Sequence, residues 1–109
     1  MKYGLPDEAV KKIRTVLGRH PQVQQAILYG SRAKGTHKRG SDIDLTLRGG
    51  DDLTLPVLHR IMDELDDLLL PYTIDLSIYA NIDDPEVKAL IHRVGQVFYE
   101  QGEDLLEPA

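Results

Sequence analysis

The chain contains 109 residues, 41% of them hydrophobic, with no cysteine and a formal net charge of −5 at pH 7. Such a chain has room for one soluble domain with a single core, but not for a further substrate domain or a disulfide framework. The negative charge argues against stable binding to nucleic acid, and the lack of a long apolar run or an apolar leader argues against a membrane span and favours a cytoplasmic location.

The first half of the chain predicts a helix, a strand, a loop and a second strand. Apolar residues at helical spacing between Asp7 and Leu17 predict an amphipathic helix. A strand follows over 23–29 and ends at a Gly-Ser turn, and the loop 32–40 has room for one helical turn. Residues 41–48 alternate between apolar and polar side chains, which predicts a strand with one face in solvent.

The second half repeats the succession of a helix and a half-exposed strand. Apolar residues at helical period over 54–70 predict the strongest helix of the chain, which Pro71 is expected to stop. Residues 72–79 then alternate again between apolar and polar side chains. Asp84 and Pro85 provide the N-cap and the first position of a last helix.

The end of the chain predicts a helix terminus, a short strand and a tail. Gly95 is expected to cap the last helix, and residues 97–100 are expected to form an edge strand. Residues 102–109 are acidic and predict a flexible tail outside the domain over 1–101. The order of elements therefore predicts an α/β (α+β) fold: a small mixed β-sheet with helices packed on one face and the other face open.

Three aspartates occupy strand positions for which propensity gives no reason. Asp42, Asp44 and Asp75 alternate with aliphatic residues, although aspartate is depleted in strands. If the two strands pair in suitable register, the three carboxylates converge on the open face. Unit charges about 4 Å apart repel by roughly 4 kcal/mol at an effective dielectric constant of 20, so the group needs a counter-charge. Because every ligand is oxygen, a hard ion such as Mg²⁺ or Mn²⁺ is expected.

A basic segment with a Gly-Ser turn lies directly before these aspartates. Four of the 13 lysine and arginine residues fall between residues 30 and 40. Gly30 allows a phosphate to approach the backbone, Ser31 can donate hydrogen bonds, and Arg32 and Lys34 can offset phosphate charge. Ser41 is a further candidate for this site. Other interpretations stay open, because the turn can be an ordinary turn, the basic side chains can be solvated, and Ser41 can only begin the strand.

These motifs resemble those of the DNA polymerase β-type nucleotidyltransferase superfamily. The resemblance rests on Tyr29-Gly30-Ser31, ten intervening residues, Asp42-Ile43-Asp44-Leu45 and the later Ile74-Asp75-Leu76. With no appended domain and a closing helix followed by GQVFYE, the chain further resembles the minimal nucleotidyltransferase (MNT) proteins. Members of that group are commonly paired with a small helical HEPN protein, in many cases as antitoxin and toxin.

The resemblance implies a two-metal transfer of AMP from ATP to a hydroxyl. Asp42 and Asp44 would hold two Mg²⁺ ions, Asp75 would complete the shell of one ion beside the acceptor, and Gly30 and Ser31 would hold the nucleotide phosphates. The resemblance favours a tyrosine of a HEPN toxin as the acceptor.

Two alternatives to this function stay open. One is a non-catalytic antitoxin or regulatory subunit that binds its partner, and the other is nucleotidyl transfer to a small molecule such as an aminoglycoside. The sequence does not decide between a homodimer and a hetero-oligomer.

Overall fold

The computed structural model describes residues 2–102, and every statement about structure below refers to that range. The elements in chain order are α1 Asp7–Gly18, β1 Val23–Tyr29, α2 Ser31–Lys34, β2 Ile43–Gly49, α3 Leu55–Asp66, β3 Ile74–Ile78, a 3-10 turn Tyr79–Asn81, α4 Pro85–Val94 and β4 Gln96–Glu100. The predicted tail from residue 103 onward lies outside the described residues. Within 2–102, no helix combines the length and the apolar character that a membrane span requires.

The four strands form one mixed sheet in the order β3-β2-β1-β4. Strand β1 runs antiparallel to β2 and to β4, whereas β2 and β3 run parallel. Parallel neighbours require a long crossover connection, and α3 provides it between β2 and β3. The predicted mixed sheet is therefore confirmed. The two strands that carry the aspartates are direct neighbours, a point that the sequence leaves open.

Helices α1 and α3 cover one face of the sheet. The residues of β2 that alternate with its polar positions, Ile43, Leu45 and Leu47, are fully buried, as their spacing predicts. The buried side chains of the two helices that belong to the same core are Val10, Ile13, Val16, Leu17, Val57, Leu58, Ile61 and Leu65. This core supports the sheet from one side and leaves the polar side chains of β2 and β3 on the other face.

Helix α4 contacts the opposite face. A Cβ atom added at Gly95, directly after α4, would lie 2.8 Å from Cγ2 of Ile27 in β1. Ile27 alternates with the buried residues Ala26 and Leu28, so its side chain is on the face away from the main core. The helices predicted on one face are therefore α1 and α3, whereas α4 covers part of the face expected to be open.

One helix end is predicted well and another is not. The carboxylate of Asp84 accepts a hydrogen bond of 2.9 Å from the amide of Glu86 and caps α4, as predicted. The sequence predicts that α3 continues until Pro71, but the helix ends at Asp66. Leu69 has a backbone φ of 55° and is 87% exposed. Left-handed backbone at this residue cannot continue a helix, so the chain turns before the proline is reached.

Both strands that carry aspartates are shorter than their alternation predicts. Strand β2 begins at Ile43 rather than at Ser41, because Ser41 belongs to a turn in which its hydroxyl accepts a 2.9 Å hydrogen bond from the amide of Lys38. Strand β3 spans Ile74–Ile78, and Tyr79 begins the 3-10 turn. The shorter strands keep the aspartates near the N-terminal ends of β2 and β3.

Candidate active site

Three side chains form a row across the sheet face that α1 and α3 leave uncovered. Asp44 in β2 is the register partner of Asp75 in β3 and, on its other side, of Tyr29 in β1. Register partners in adjacent strands project to the same face, so the phenol and the two carboxylates lie side by side. Asp42 stands two residues before Asp44, just outside β2, and its charge acts on Asp44. The fold thus brings together the three aspartates of the predicted site.

The charges of this group act on one another. Burial, followed by the nearby charges of Asp75 and Asp42, raises the pKa of Asp44 above its ordinary value. Burial also raises the pKa of Tyr29; a hydrogen bond with Ser77 opposes this effect, while the charges of Asp75 and Asp44 add to it. Each of these shifts disfavours further negative charge in a space that already holds carboxylates. The site therefore has an unbalanced negative charge that a cation would neutralise.

The carboxylate oxygens of this group are suitable ligands for a hard divalent cation, although the described side chains are not arranged as a complete metal site. Carboxylate oxygens are the ligands that Mg²⁺ and Mn²⁺ prefer. Within residues 2–102, no group of three or more acidic or histidine side chains has the mutual geometry of a metal site. Asp42 and Asp75 are exposed, so these two side chains have solvent around them in which to reorient. The assignment of Asp42, Asp44 and Asp75 as metal ligands stays a prediction.

Glycine is the only residue type that position 30 accepts without strain. Its φ is +81°, and a Cβ atom added there would collide with Oδ2 of Asp44. A left-handed backbone disfavours any side chain, and here the side chain would also enter the carboxylate row. The Gly-Ser turn is therefore in direct contact with the acidic group, as expected if the turn holds a phosphate beside it.

Ser31 and Lys34 are the two ends of α2, the short helix that follows the turn. The amide of Lys34 donates to the carbonyl of Gly30 at 3.1 Å and closes the helical turn. Ser31 is half-buried next to Gly30, whereas Lys34 is exposed. Lys34 lines an open cavity of about 530 Å³ together with Lys2 and His37. Ser31 thus directly follows the glycine that contacts Asp44, and Lys34 is about one helical turn, roughly 5 Å, further along α2.

Arg32 differs from the predicted phosphate contact, because its side chain is 3% exposed. Its Nε and Nη2 atoms donate to the carbonyl of Ser41 at 3.0 and 2.8 Å, and Nη1 donates to the carbonyl of Tyr3 at 2.9 Å. Its guanidinium also lies 5.2 Å from the ring centroid of Tyr72. The role of Arg32 in the structure is therefore architectural, because its side chain joins the N-terminal turn to the start of β2.

Ser41 is likewise part of the scaffold of the loop. Its carbonyl accepts from Arg32, and its hydroxyl accepts from the amide of Lys38. The turn hydrogen bond agrees with the alternative interpretation of Ser41 as a structural residue, although β2 begins two residues later, at Ile43. The loop from residue 35 to 41 is held at both ends, which fixes the entry of the chain into Asp42.

A hydroxyl network beside the carboxylates is absent from the predicted set of site residues. Ser77 is close enough to Tyr29 to lower the pKa of its phenol, and the Ser77 hydroxyl donates to Oγ1 of Thr46 at 3.0 Å. Thr46 is fully buried, although its strand position predicts a solvent-facing side chain. The signal was available in the alternation, because Thr46 and Ser77 follow Asp44 and Asp75 by two residues each.

The fold and the acidic row beside a glycine turn define a nucleotidyltransferase. Residues 11–104 match the family model described as Polymerase beta, Nucleotidyltransferase. The chain belongs to this family. A comparison with curated proteins gives no match.

Solved structures with the same fold include three of toxin-antitoxin proteins. One is a toxin-antitoxin with AMP-PNP, at 24% identity, a TM-score of 0.68 and coverage of 87% of this chain and 76% of that chain. Another is MntA-HepT, at 19% identity, a TM-score of 0.65 and coverage of 91% and 76%. A third is a tri-AMPylated HEPN toxin from Shewanella oneidensis in complex with an MNT antitoxin, at 19% identity, a TM-score of 0.64 and coverage of 89% and 74%. At these identities the likeness shows the fold.

Proposed function

We propose that this chain is a minimal nucleotidyltransferase that transfers AMP from ATP to a tyrosine hydroxyl of a HEPN partner and thereby neutralises it. The observation that carries the proposal is the row of Asp44 and Asp75 in register on neighbouring strands, with Gly30 against Asp44. Support for the donor and the acceptor comes from proteins of the same fold: one was solved with AMP-PNP, and another with a tri-AMPylated HEPN toxin.

The acidic residues have the part of metal ligands in this proposal. Asp42, Asp44 and Asp75 would hold Mg²⁺, as a pair of ions, with Mn²⁺ as a substitute. When bound, the ions would offset the carboxylate charge and stabilise the charge that develops on the attacking and leaving oxygens. The raised pKa of Asp44 agrees with this part, because burial and then the charges of Asp75 and Asp42 disfavour the ionised carboxylate, which a bound cation would favour.

The turn and the short helix form the phosphate side of the site. Gly30 lets the triphosphate approach the backbone, Ser31 donates to a phosphate oxygen, and Lys34 offsets phosphate charge. Arg32 acts indirectly, because its hydrogen bonds to Tyr3 and Ser41 hold the loop around α2 in place. The phosphate contact predicted for Arg32 is therefore not part of the proposal.

The reaction replaces one bond to the α-phosphorus with another. The acceptor oxygen attacks the α-phosphorus, the bond to the bridging oxygen breaks, and pyrophosphate leaves with the electron pair of that bond. The proton of the acceptor hydroxyl passes to a base on the acceptor or to water, because Asp75, exposed on the edge strand β3, has the role of a metal ligand in this proposal. Tyr29, whose pKa is raised, stays protonated beside the carboxylates and adds no charge.

A variant that cannot hold metal separates transfer from simple blocking of the partner. The double variant Asp42→Asn with Asp44→Asn keeps the shape of both side chains and removes two charges. We expect it to bind the HEPN protein of the same genome but to lose neutralisation of the toxin in a growth assay. Neutralisation that survives in a folded, partner-binding double variant would favour a binding antitoxin. Labelling of an aminoglycoside in the absence of the partner would favour a small-molecule acceptor.

A further inference from the structure

A tyrosine with polar and charged neighbours, Tyr79, lies at the other end of β3 from the carboxylates. Tyr79 begins the 3-10 turn directly after β3. It is four residues from Asp75, which corresponds to about 13 Å in extended chain. This separation places the hydroxyl of Tyr79 away from the carboxylates of its own chain, so a transfer to it would need the active site of another copy.

The hydroxyl of Tyr79 is paired with a potential base. Its oxygen lies 2.7 Å from Nε2 of His92 in α4, where His92 is exposed and Tyr79 is half-buried. The two rings meet edge to face, at an interplanar angle of 87° and a centroid distance of 5.8 Å. When the hydroxyl donates in this bond, His92 is in position to accept its proton.

Two cations flank the same ring. The guanidinium carbon of Arg48 lies 5.1 Å from the centroid of the Tyr79 ring, and the ammonium nitrogen of Lys88 lies 5.3 Å from it. Positive charges at this distance stabilise an anion that forms on the hydroxyl, and they offset the charge of a phosphate group attached to it. A nucleophile, a base and two cations thus meet at a place that the active site does not use.

We propose that Tyr79 is an acceptor of AMP, delivered in trans by a second copy of this chain; this inference rests on the proposed function. The oxygen of Tyr79 attacks the α-phosphorus of ATP held by the other copy, its proton passes to Nε2 of His92, and pyrophosphate leaves. The product is a phosphodiester that places one negative charge between Arg48 and Lys88. Self-modification would therefore change the charge of this surface from basic towards neutral.

The same contacts have a purely structural interpretation that the experiment must separate. The bond between Tyr79 and His92 ties α4 to the end of β3, and the loss of that tie alone would change stability. Tyr72 is the matched control, because it is also half-buried and has a guanidinium, that of Arg32, near its ring. The difference is that the Arg32 guanidinium is engaged by backbone carbonyls.

The test uses an inactive acceptor and an active enzyme. Tagged full-length Asp42→Asn/Asp44→Asn chain in excess is incubated with a small amount of untagged wild-type chain, ATP and Mg²⁺, and the tagged chain is then mapped by mass spectrometry. We expect AMP on Tyr79. The signal should disappear when the acceptor also carries Tyr79→Phe, fall about a hundredfold in initial rate with His92→Gln, and be unchanged with Tyr72→Phe. Urea midpoints of the three acceptors report any loss of folding.

Parallel reactions with the HEPN partner distinguish the failure of this inference from the failure of the proposed function. AMP on the partner but not on Tyr79 would overturn the inference and leave the proposed function standing. AMP spread equally over Tyr72 and Tyr79, or a His92→Gln acceptor that is modified as fast as its parent, would also overturn it. No AMP on either protein would overturn both. The mapping on the acceptor with its native Tyr79 does not depend on the folding of the Tyr79→Phe and His92→Gln chains, and the urea midpoints check the folding that the rate comparisons require.

Discussion

At the scale of single residues, the site combines a backbone requirement with a charge requirement. Gly30 has to be glycine because its φ is positive and because Asp44 occupies the space of a side chain. Burial, followed by the negative charges of Asp75 and Asp42, raises the pKa of Asp44. Both residues therefore lower the stability of the protein without ligands, as is common for residues of functional sites.

Gly30→Ala is expected to remove function by more than its effect on stability explains. Gly40 offers a matched control, because its φ is also +81° but nothing lies within 4 Å of an added Cβ. Each substitution should cost about 1 to 3 kcal/mol because of the positive φ. The added methyl of Gly30→Ala also displaces the Asp44 carboxylate, so AMP transfer should fall about a hundredfold. Equal transfer rates in the two variants, with midpoints in urea measured alongside, would contradict this role of Gly30.

Asp44→Asn is expected to stabilise the metal-free protein at pH 7. A carboxyl whose folded pKa is raised binds its proton more tightly in the folded state, so the free energy of unfolding falls as the pH rises from the ordinary value of 3.8 through the raised one. At pH 7 that stability is lost, and asparagine should recover up to about 1 kcal/mol, since the carboxylate is only half-buried. Urea unfolding in EDTA measures the difference.

The control for this prediction is Asp51→Asn, in the exposed turn after β2. It should leave the free energy of unfolding within about 0.5 kcal/mol of the wild type. Between pH 4 and 7, the wild type should lose more stability than Asp44→Asn. An Asp44→Asn variant that is less stable than the wild type in EDTA would show that the carboxylate stabilises the fold, and the inferred strain would be wrong.

At the scale of elements, the loop around α2 is held by a buried side chain in addition to its own hydrogen bonds. Arg32 reaches from α2 to the carbonyls of Tyr3 and Ser41. The basic residue two positions later, Lys34, has its side chain in solvent. From the sequence, both residues are equally good candidates for phosphate ligands. Their burial differs: the buried Arg32 positions the loop, and the exposed Lys34 is available to a ligand.

Opposite effects are expected from Arg32→Met and Lys34→Met. Arg32→Met leaves two carbonyls without their donors and should cost about 3 kcal/mol of unfolding free energy. Lys34→Met should change stability by less than about 0.5 kcal/mol but weaken the affinity for Mg-ATP about tenfold. Chemical denaturation and calorimetric titration with ATP measure the two effects. A stable Arg32→Met variant with weakened ATP binding would restore Arg32 as a phosphate ligand.

At the scale of the whole molecule, the sequence predicts the order of elements, the mixed sheet and the position of its buried face. These follow from hydrophobic period and from turn residues, which are local signals. The end of α3 is mispredicted because Leu69 adopts left-handed backbone that its residue type does not favour. The burial of Arg32 in the α2 loop is not predicted either, because it depends on contacts with residues distant in sequence, such as Tyr3. No local sequence pattern indicates such contacts.

The candidate site is predictable to the same extent. The aspartates are found because strand propensity does not account for them, and their strands prove to be parallel neighbours in register. Tyr29 and Ser77 are missed because they belong to β1 and β3, and only the order of strands in the sheet brings them near each other. The local sequence pattern therefore predicts the charged residues of the site. The neutral residues around them can be identified only when the order of the strands in the sheet is known.

The central claim is that the row of aspartates moves the nucleotidyl group of ATP, and the position of an isotopic label tests it directly. The chain and its HEPN partner are incubated with Mg²⁺ and with ATP labelled at either the α- or the γ-phosphate. Nucleotidyl transfer predicts that only the α-label becomes covalently attached to the partner and that Asp42→Asn/Asp44→Asn abolishes the attachment. Attachment of the γ-label, or attachment of the α-label that persists in the double variant, would contradict the account.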